Sequence, residues 1–288
     1  MYVVFGANGH TGSVVAETLI ARGKPVRAVA REAKKLEALR TKGAEVVTAN
    51  LMDATSVANA LRGAEGAYLL IPPDNASTDL VARGRTIIDN YVAALSQHAV
   101  RHAAVLSSIG AQAPSGTGPI VITHNAETTL PKATGTKFTF VRAAYFMENI
   151  LNFAQAIKND GVLPVFGGGE GYPFAMIATR DIGEVAADAI LSPPQAHQWI
   201  ELSGPKEHTF NDAAAEASAI VGRPVKATPL PIDAMAPTMM KFGVSANVAG
   251  LYREMTEAFG TGLVRFEGNK RSMRGKVPLG DVLRAGLR

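Results

Sequence analysis

Three glycines at every third position, Gly6, Gly9 and Gly12, follow the apolar run Tyr2-Val3-Val4-Phe5 and precede a helix-patterned stretch. A strand–turn–helix of this kind suits an anion. The first glycine permits a tight turn, the second lets the backbone approach a pyrophosphate, and the third allows close strand–helix packing, while unpaired N–H groups of the helix face the charge. The loop Gly6-Ala7-Asn8-Gly9-His10-Thr11-Gly12 therefore predicts a dinucleotide site, with Gly6, Asn8, Gly9, His10, Thr11 and Gly12 as its lining. Which dinucleotide is read at the end of the second strand, where an acidic residue would bind a ribose 2′-hydroxyl. Arg31 stands there, followed by Lys34 and Lys35, with Glu32 as the one opposing charge. Guanidinium forks a 2′-phosphate and lysine adds a point charge, so NADPH is expected over NADH.

The acid–base inventory is sparse. None of the six tyrosines is followed four residues later by lysine, so the Tyr-x-x-x-Lys pair that would serve a hydroxyl or carbonyl substrate is absent. Without cysteine there is no thiolate catalysis, zinc–thiolate site or disulfide framework. His98 and His102 stand four apart, but the first ends a helix pattern and the second opens a strand, so no metal site is expected. His124, on an expected loop, carries an imidazole, a side chain able to assist proton delivery. Ser107 and Ser108 end a central strand, on the side where ligands bind such sheets. Met235, Met239 and Met240 are spaced as one helical stripe, read as adaptable packing at the edge of a pocket.

Short apolar runs alternate with longer helical patterns: strands at 2–5, 26–30, 45–47, 67–71, 103–107, 138–141 and 199–202, helices at 13–22, 34–42, 54–61, 86–97 and 181–191. Strands that are apolar throughout predict a parallel sheet covered on both faces, a doubly wound α/β (Rossmann) fold. The reading places a nucleotide-binding domain at 1–150, with 174–197 returning to it, and a smaller, mostly helical lobe within 151–288. Helices are expected there at 209–222 and 233–259.

Charge is unevenly spread. The chain carries 29 basic and 25 acidic residues, yet seven basic and two acidic side chains fall within 265–288. The rest is near neutral, and no helix-turn-helix, zinc-finger or aromatic stacking pattern accompanies the basic segment, so nucleic acid is not the expected partner. Residues 270–276 read as a solvated surface segment. With no apolar run long enough to span a bilayer and a strand beginning at residue 2, a cytoplasmic protein without membrane contact is expected.

Several motifs together resemble the NmrA-like atypical short-chain dehydrogenase/reductase family. They are the Gly6–Gly12 loop, the Arg31/Lys35 pair, Asn50-Leu51-Met52-Asp53, Leu106-Ser107-Ser108, the run Val141 to Asn149, Thr179-Arg180-Asp181-Ile182 and Leu202-Ser203-Gly204-Pro205. Within that group the resemblance points to the bacterial NAD(P)H:quinone oxidoreductases of the second type. The resemblance implies that Asn50 and Leu51 flank the adenine and that Ile71, Pro72 and Pro73 face the nicotinamide-side ribose. It likewise puts Ala144, Tyr145 and Phe146 at the nicotinamide edge, with His124 close by. The family's usual proline after Val-Arg-x is Ala144 here. The activity so implied is hydride transfer from NADPH to a quinone-like or other small conjugated acceptor, with Ser107 beside the cofactor and His124 and Tyr145 as the catalytic candidates. A non-catalytic NADP(H)-sensing regulator is the alternative, and the assembly is expected to be a monomer or homodimer.

Overall fold

The computed structural model describes residues 1–288. The chain runs β1 (Tyr2–Phe5), α1 (His10–Ala21), β2 (Val26–Ala30), α2 (Glu37–Thr41), β3 (Glu45–Thr48), α3 (Ala54–Leu61), β4 (Gly66–Leu69), α4 (Leu80–His98), β5 (His102–Ser108), α5 (Ile120–Thr129) and β6 (Lys137–Ala143). There follow β7 (Tyr145–Phe146), α6 (Ala154–Asp160), β8 (Val162–Phe166), β9 (Phe174–Ile177), α7 (Thr179–Leu191), β10 (Gln198–Ser203), β11 (Glu207–His208), α8 (Phe210–Val221) and β12 (Lys226–Leu230). The last elements are α9 (Met235–Lys241), α10 (Ala246–Gly260), β13 (Arg271–Arg274) and α11 (Leu279–Leu287).

Eight strands form one parallel sheet in the order β13-β10-β6-β5-β4-β1-β2-β3. Alternate side chains feed two cores. Val3 and Phe5 of β1 join the cluster built with α3 and α4, and Val4 joins the one built with α1 and α7. The edge of Phe5 meets Tyr91 of α4 with centroids 5.1 Å apart, an aromatic contact worth about 0.5–1.5 kcal/mol beyond its area. On the other face Gly183 of α7 lets α1 come close: a Cβ there would lie 2.5 Å from Val14 Cβ. Because β1 leads outward to β2 and β3 before the chain returns to β4 on its other side, the crevice between β1 and β4 is the topological switch point.

The division near residue 150 is crossed more than once. Besides α7, the chain returns to the main sheet through β10 and again through β13, so the basic segment supplies an edge strand paired with Ile200–Ser203. The expected solvated tail is thus a strand whose arginines are exposed. The remaining elements pack β8, β12, α6, α8 and α11 around Met147, Ile150, Leu163, Met176 and Leu283. The single helix expected over 233–259 is two helices, because Gly243 turns left-handed at φ +82° and Ser245 caps α10 by accepting from Val248 N–H. Helix α5, where six of ten residues are β-branched, has no helical signature in the sequence. Packing overrides propensity there: Ile122 fills the space a side chain at Gly84 would need.

Three histidines make stability pH-dependent. Burial lowers the His102 imidazole, and burial with a nearby lysine lowers His197 and His208. A folded pKa below the unfolded value of about 6.5 means the unfolded chain binds more protons, so stability is complete above that pH and falls as pH drops through it. Thermal melts are expected to show Tm declining from pH 7 to pH 5, less steeply in His102→Gln. A flat profile would contradict the burial of these rings.

Candidate functional site

The C-terminal ends of the parallel strands bring most of the expected residues to one edge. After β1, Gly6 takes φ +64° and carries the chain over Leu70, whose Cδ2 would lie 2.7 Å from any Cβ on it. A Cβ on Gly12 would stand 2.3 Å from the Gly6 carbonyl oxygen. Gly9 N–H closes the turn on that same carbonyl at 2.8 Å. Helix α1 then starts with no side-chain cap and no acidic residue in its first turn. Its first internal bond is Ser13 N–H to Gly9 O, leaving the N–H groups of His10, Thr11 and Gly12 without helical partners. Asn8, Gly9 and His10 are exposed. These observations fit a pyrophosphate, which would supply acceptors where neither a capping side chain nor a Cβ stands. Thr11 differs from its neighbours, because its hydroxyl turns inward to Tyr68.

At the end of β2, the two expected phosphate ligands are unlike each other. Lys35 Nζ donates to Glu32 at 2.6 Å, and Lys34 lies 3.8 Å from the same carboxylate. The Lys35 hydrogen bond holds the Glu32 carboxyl below its usual range. Arg31 is exposed and makes no ion pair, so the free guanidinium at this edge is Arg31 alone. Beyond β3, Asn50 shapes its own turn by accepting from Met52 N–H at 3.1 Å, and Leu51 O accepts from Asn90 of α4 at 2.8 Å.

The loop after β4 is tied down along its length. Tyr91 donates to Leu70 O, while Arg83 donates to Pro72 O and pairs with Asp74 at 3.1 Å. Ile71 and Pro72 are half-buried and Pro73 is exposed. Further along, Asn75 O accepts from Ser245 N–H, and Leu80 N–H donates to Asn247 at the start of α10. The helical lobe is therefore anchored to the loop beside the switch point.

Past β5 and β6 lies a buried polar network that the sequence reading missed. Ser107, Arg142 and Glu201 occupy one row across β5, β6 and β10. Ser107 donates to Glu127 of α5 at 2.6 Å, Trp199 Nε1 donates to it at 2.9 Å, and Arg142 forks both of its oxygens at 2.9 and 2.6 Å. Arg142 also bonds Glu267, and Glu201 accepts from the N–H groups of Glu267 and Gly268. The Ser107 hydroxyl is thus spent within the protein. An arginine in the central strand 138–143 was the available signal, since a charge there requires a buried partner.

The two catalytic candidates are held apart. His124 sits on α5 rather than on a loop, with Nδ1 donating to Ala111 O at 2.9 Å. A carbonyl can only accept, so in the neutral ring Nε2 is an acceptor. Tyr145 lies edge-on to Phe174 and Phe210, with centroids 5.4 and 6.0 Å away. Burial pushes its phenol well above the ordinary range. That makes it a packed aromatic that holds its proton, and no hydrogen bond links it to His124. Ala144 is buried and Phe146 half-buried beside it. His98 and His102 lie on α4 and β5, and His102 is occupied by Thr139 and Ile190 O. Helix α9 keeps Met235 and Met239 half-buried and Met240 exposed, and none of its residues is buried.

Residues 2–265 match the NmrA-like family. The chain belongs to that family. Among its relatives is a (4-alkanoyl-5-oxo-2,5-dihydrofuran-3-yl)methyl phosphate reductase from Streptomyces griseus, 30% identical over 83% of this chain and 80% of that one. An NAD(P)H azoreductase from Xenophilus azovorans is 27% identical over 88% and 86%. A similar fold occurs in an NADPH-dependent quinone oxidoreductase from Escherichia coli solved in complex with NADPH. The match has a TM-score of 0.76 and 22% identity and spans 100% of both chains.

Proposed function

We propose that this NmrA-like protein is an NADPH-dependent oxidoreductase whose acceptor is a quinone or another small conjugated molecule. The observation that carries the reading is the uncapped start of α1 above Gly6 and Gly12, with unpaired Arg31 at the neighbouring strand end. The reductase names of its relatives support it. When bound, NADPH supplies a hydride, and one proton completes reduction of a quinone to its hydroquinone. Gly6–Gly12 would hold the pyrophosphate, Arg31 the 2′-phosphate, and Ile71–Pro73 and Ala144–Phe146 the nicotinamide end.

A conjugated acceptor suits the acid–base poverty of the site. Tyr145 keeps its proton and His124 offers an acceptor nitrogen, whereas a quinone takes up hydride readily and its anion can draw a proton from water. The demand on the protein is positioning, which Tyr145, Phe146 and the tied loop after β4 would meet with flat apolar surface. Mixing the purified protein with NADPH and a panel of quinones and azo compounds should deplete nicotinamide absorbance faster than the uncatalysed reaction. NADPH binding without turnover on any acceptor would overturn catalysis in favour of a cofactor-sensing role.

Arg31→Glu is expected to weaken NADPH by about 10- to 100-fold, the size of one or two charge-assisted contacts, and NADH by far less. Fluorescence titration of both nucleotides checks it. Equal weakening would remove Arg31 from the 2′-phosphate.

A further inference from the structure

The phosphate loop is held from beneath by a tyrosine outside the glycine motif. Tyr68, in β4 and fully buried, donates to Thr11 Oγ1 at 2.9 Å. Thr11 is the second residue of α1 and only 5% exposed. The pair holds two hydroxyl hydrogens and makes one hydrogen bond, and neither oxygen has another partner in the protein. Burial raises the Tyr68 phenol above its ordinary range, so the hydroxyl keeps the hydrogen it donates to Thr11. With Tyr68 donating, the Thr11 hydrogen is left to point elsewhere than β4. The Thr11 backbone is confined as well, since Gly183 of α7 packs so near that a Cβ would lie 2.9 Å from Thr11 O.

We infer that Tyr68 is a positioning residue for the dinucleotide pyrophosphate, acting through the Thr11 hydroxyl to orient the first turn of α1. The inference rests on the reading of Gly6–Gly12 as the NADP(H) loop. Phenylalanine at 68 would fill the same volume but leave the Thr11 hydroxyl buried without a partner. Relief would then come from rotating Thr11 or shifting the turn that presents the N–H groups. Tyr68 should therefore affect every ligand that carries the pyrophosphate and none that lacks it.

The test is a set of binding titrations on wild type, Tyr68→Phe, Thr11→Val and the double variant, with NADPH, NADH and adenosine 2′-monophosphate as probes. The last carries the 2′-phosphate and adenine but no pyrophosphate. Tyr68→Phe is expected to weaken NADPH and NADH alike by about tenfold and to leave adenosine 2′-monophosphate unchanged. In the Thr11→Val background the same change should alter NADPH affinity less than about twofold, because the path through the hydroxyl is gone. The proposal is overturned if Tyr68→Phe leaves NADPH affinity unchanged, weakens all three probes equally, or acts as strongly without the Thr11 hydroxyl. Failure of the wild-type protein to bind NADPH would instead overturn the loop's assignment, and the proposal with it.

Discussion

Replacing Arg142 by methionine is expected to lower the free energy of unfolding by about 3–5 kcal/mol. The guanidinium is 4% exposed and is shared between Glu127, itself buried, and Glu267. Removing it leaves the Glu127 carboxylate in the core without its counter-charge, where desolvation is costly, while Glu267 keeps Lys270 at 3.7 Å. The damage should spread, because Glu127 also orders Ser107 and Trp199 and Glu267 anchors the segment leading to β13. A second change tests the cause. With Glu127→Leu added, the core charge disappears and part of the loss should return, whereas two independent packing defects would add. Urea unfolding of Arg142→Met, Glu127→Leu and the double variant decides it, and a loss under about 1 kcal/mol for Arg142→Met would be too small for a breached buried ion pair.

Gly12→Ala should weaken NADPH and NADH together by about 100-fold or more, equivalent to about 2.7 kcal/mol or above. The new methyl carbon would lie 2.3 Å from Gly6 O and 2.7 Å from its carbonyl carbon. Both are backbone atoms in the turn that must approach the phosphates, so relief can come only by opening the loop. Gly23→Ala provides the contrast. That glycine has φ +69° with nothing within 4 Å of the added carbon, so it should cost about 1–2 kcal/mol of backbone strain without changing nucleotide affinity. A correctly folded Gly12→Ala protein with unaltered affinity would falsify the placement of pyrophosphate on this turn.

Legibility in the sequence depended on the range of the interactions. Helix α3 has the predicted bounds, and every strand of the main sheet except β13 lies within a residue or two of its predicted position. Apolar runs buried on both faces leave a one-dimensional record. Helix α5 left none, because its six β-branched residues argue against a helix that Ile122, Ala126 and Glu127 secure through α4, β5 and β6. That omission mattered for the site, since it set His124 on a loop and hid Glu127 altogether. The basic segment misled for a similar reason. Its arginines look solvated, and they are exposed, yet the backbone between them completes the main sheet.

The glycine turn, the open start of α1, and the cation at the end of β2 were all readable from the chain, because each depends on residues adjacent along it. A positive φ needs only its own glycine, and a helix terminus lacks partners wherever it begins. Folding changed what the polar side chains do. Ser107 turned from the ligand edge to a glutamate 20 residues away, Arg142 joined one 125 residues away, Lys35 was drawn to Glu32, and Thr11 was taken by Tyr68. Apart from the Lys35 pair, these partnerships come from the order in which strands and helices are laid beside one another. Hydrogen bonds act over about 3 Å, and no local pattern of residue types records which distant groups the sheet will bring within that reach.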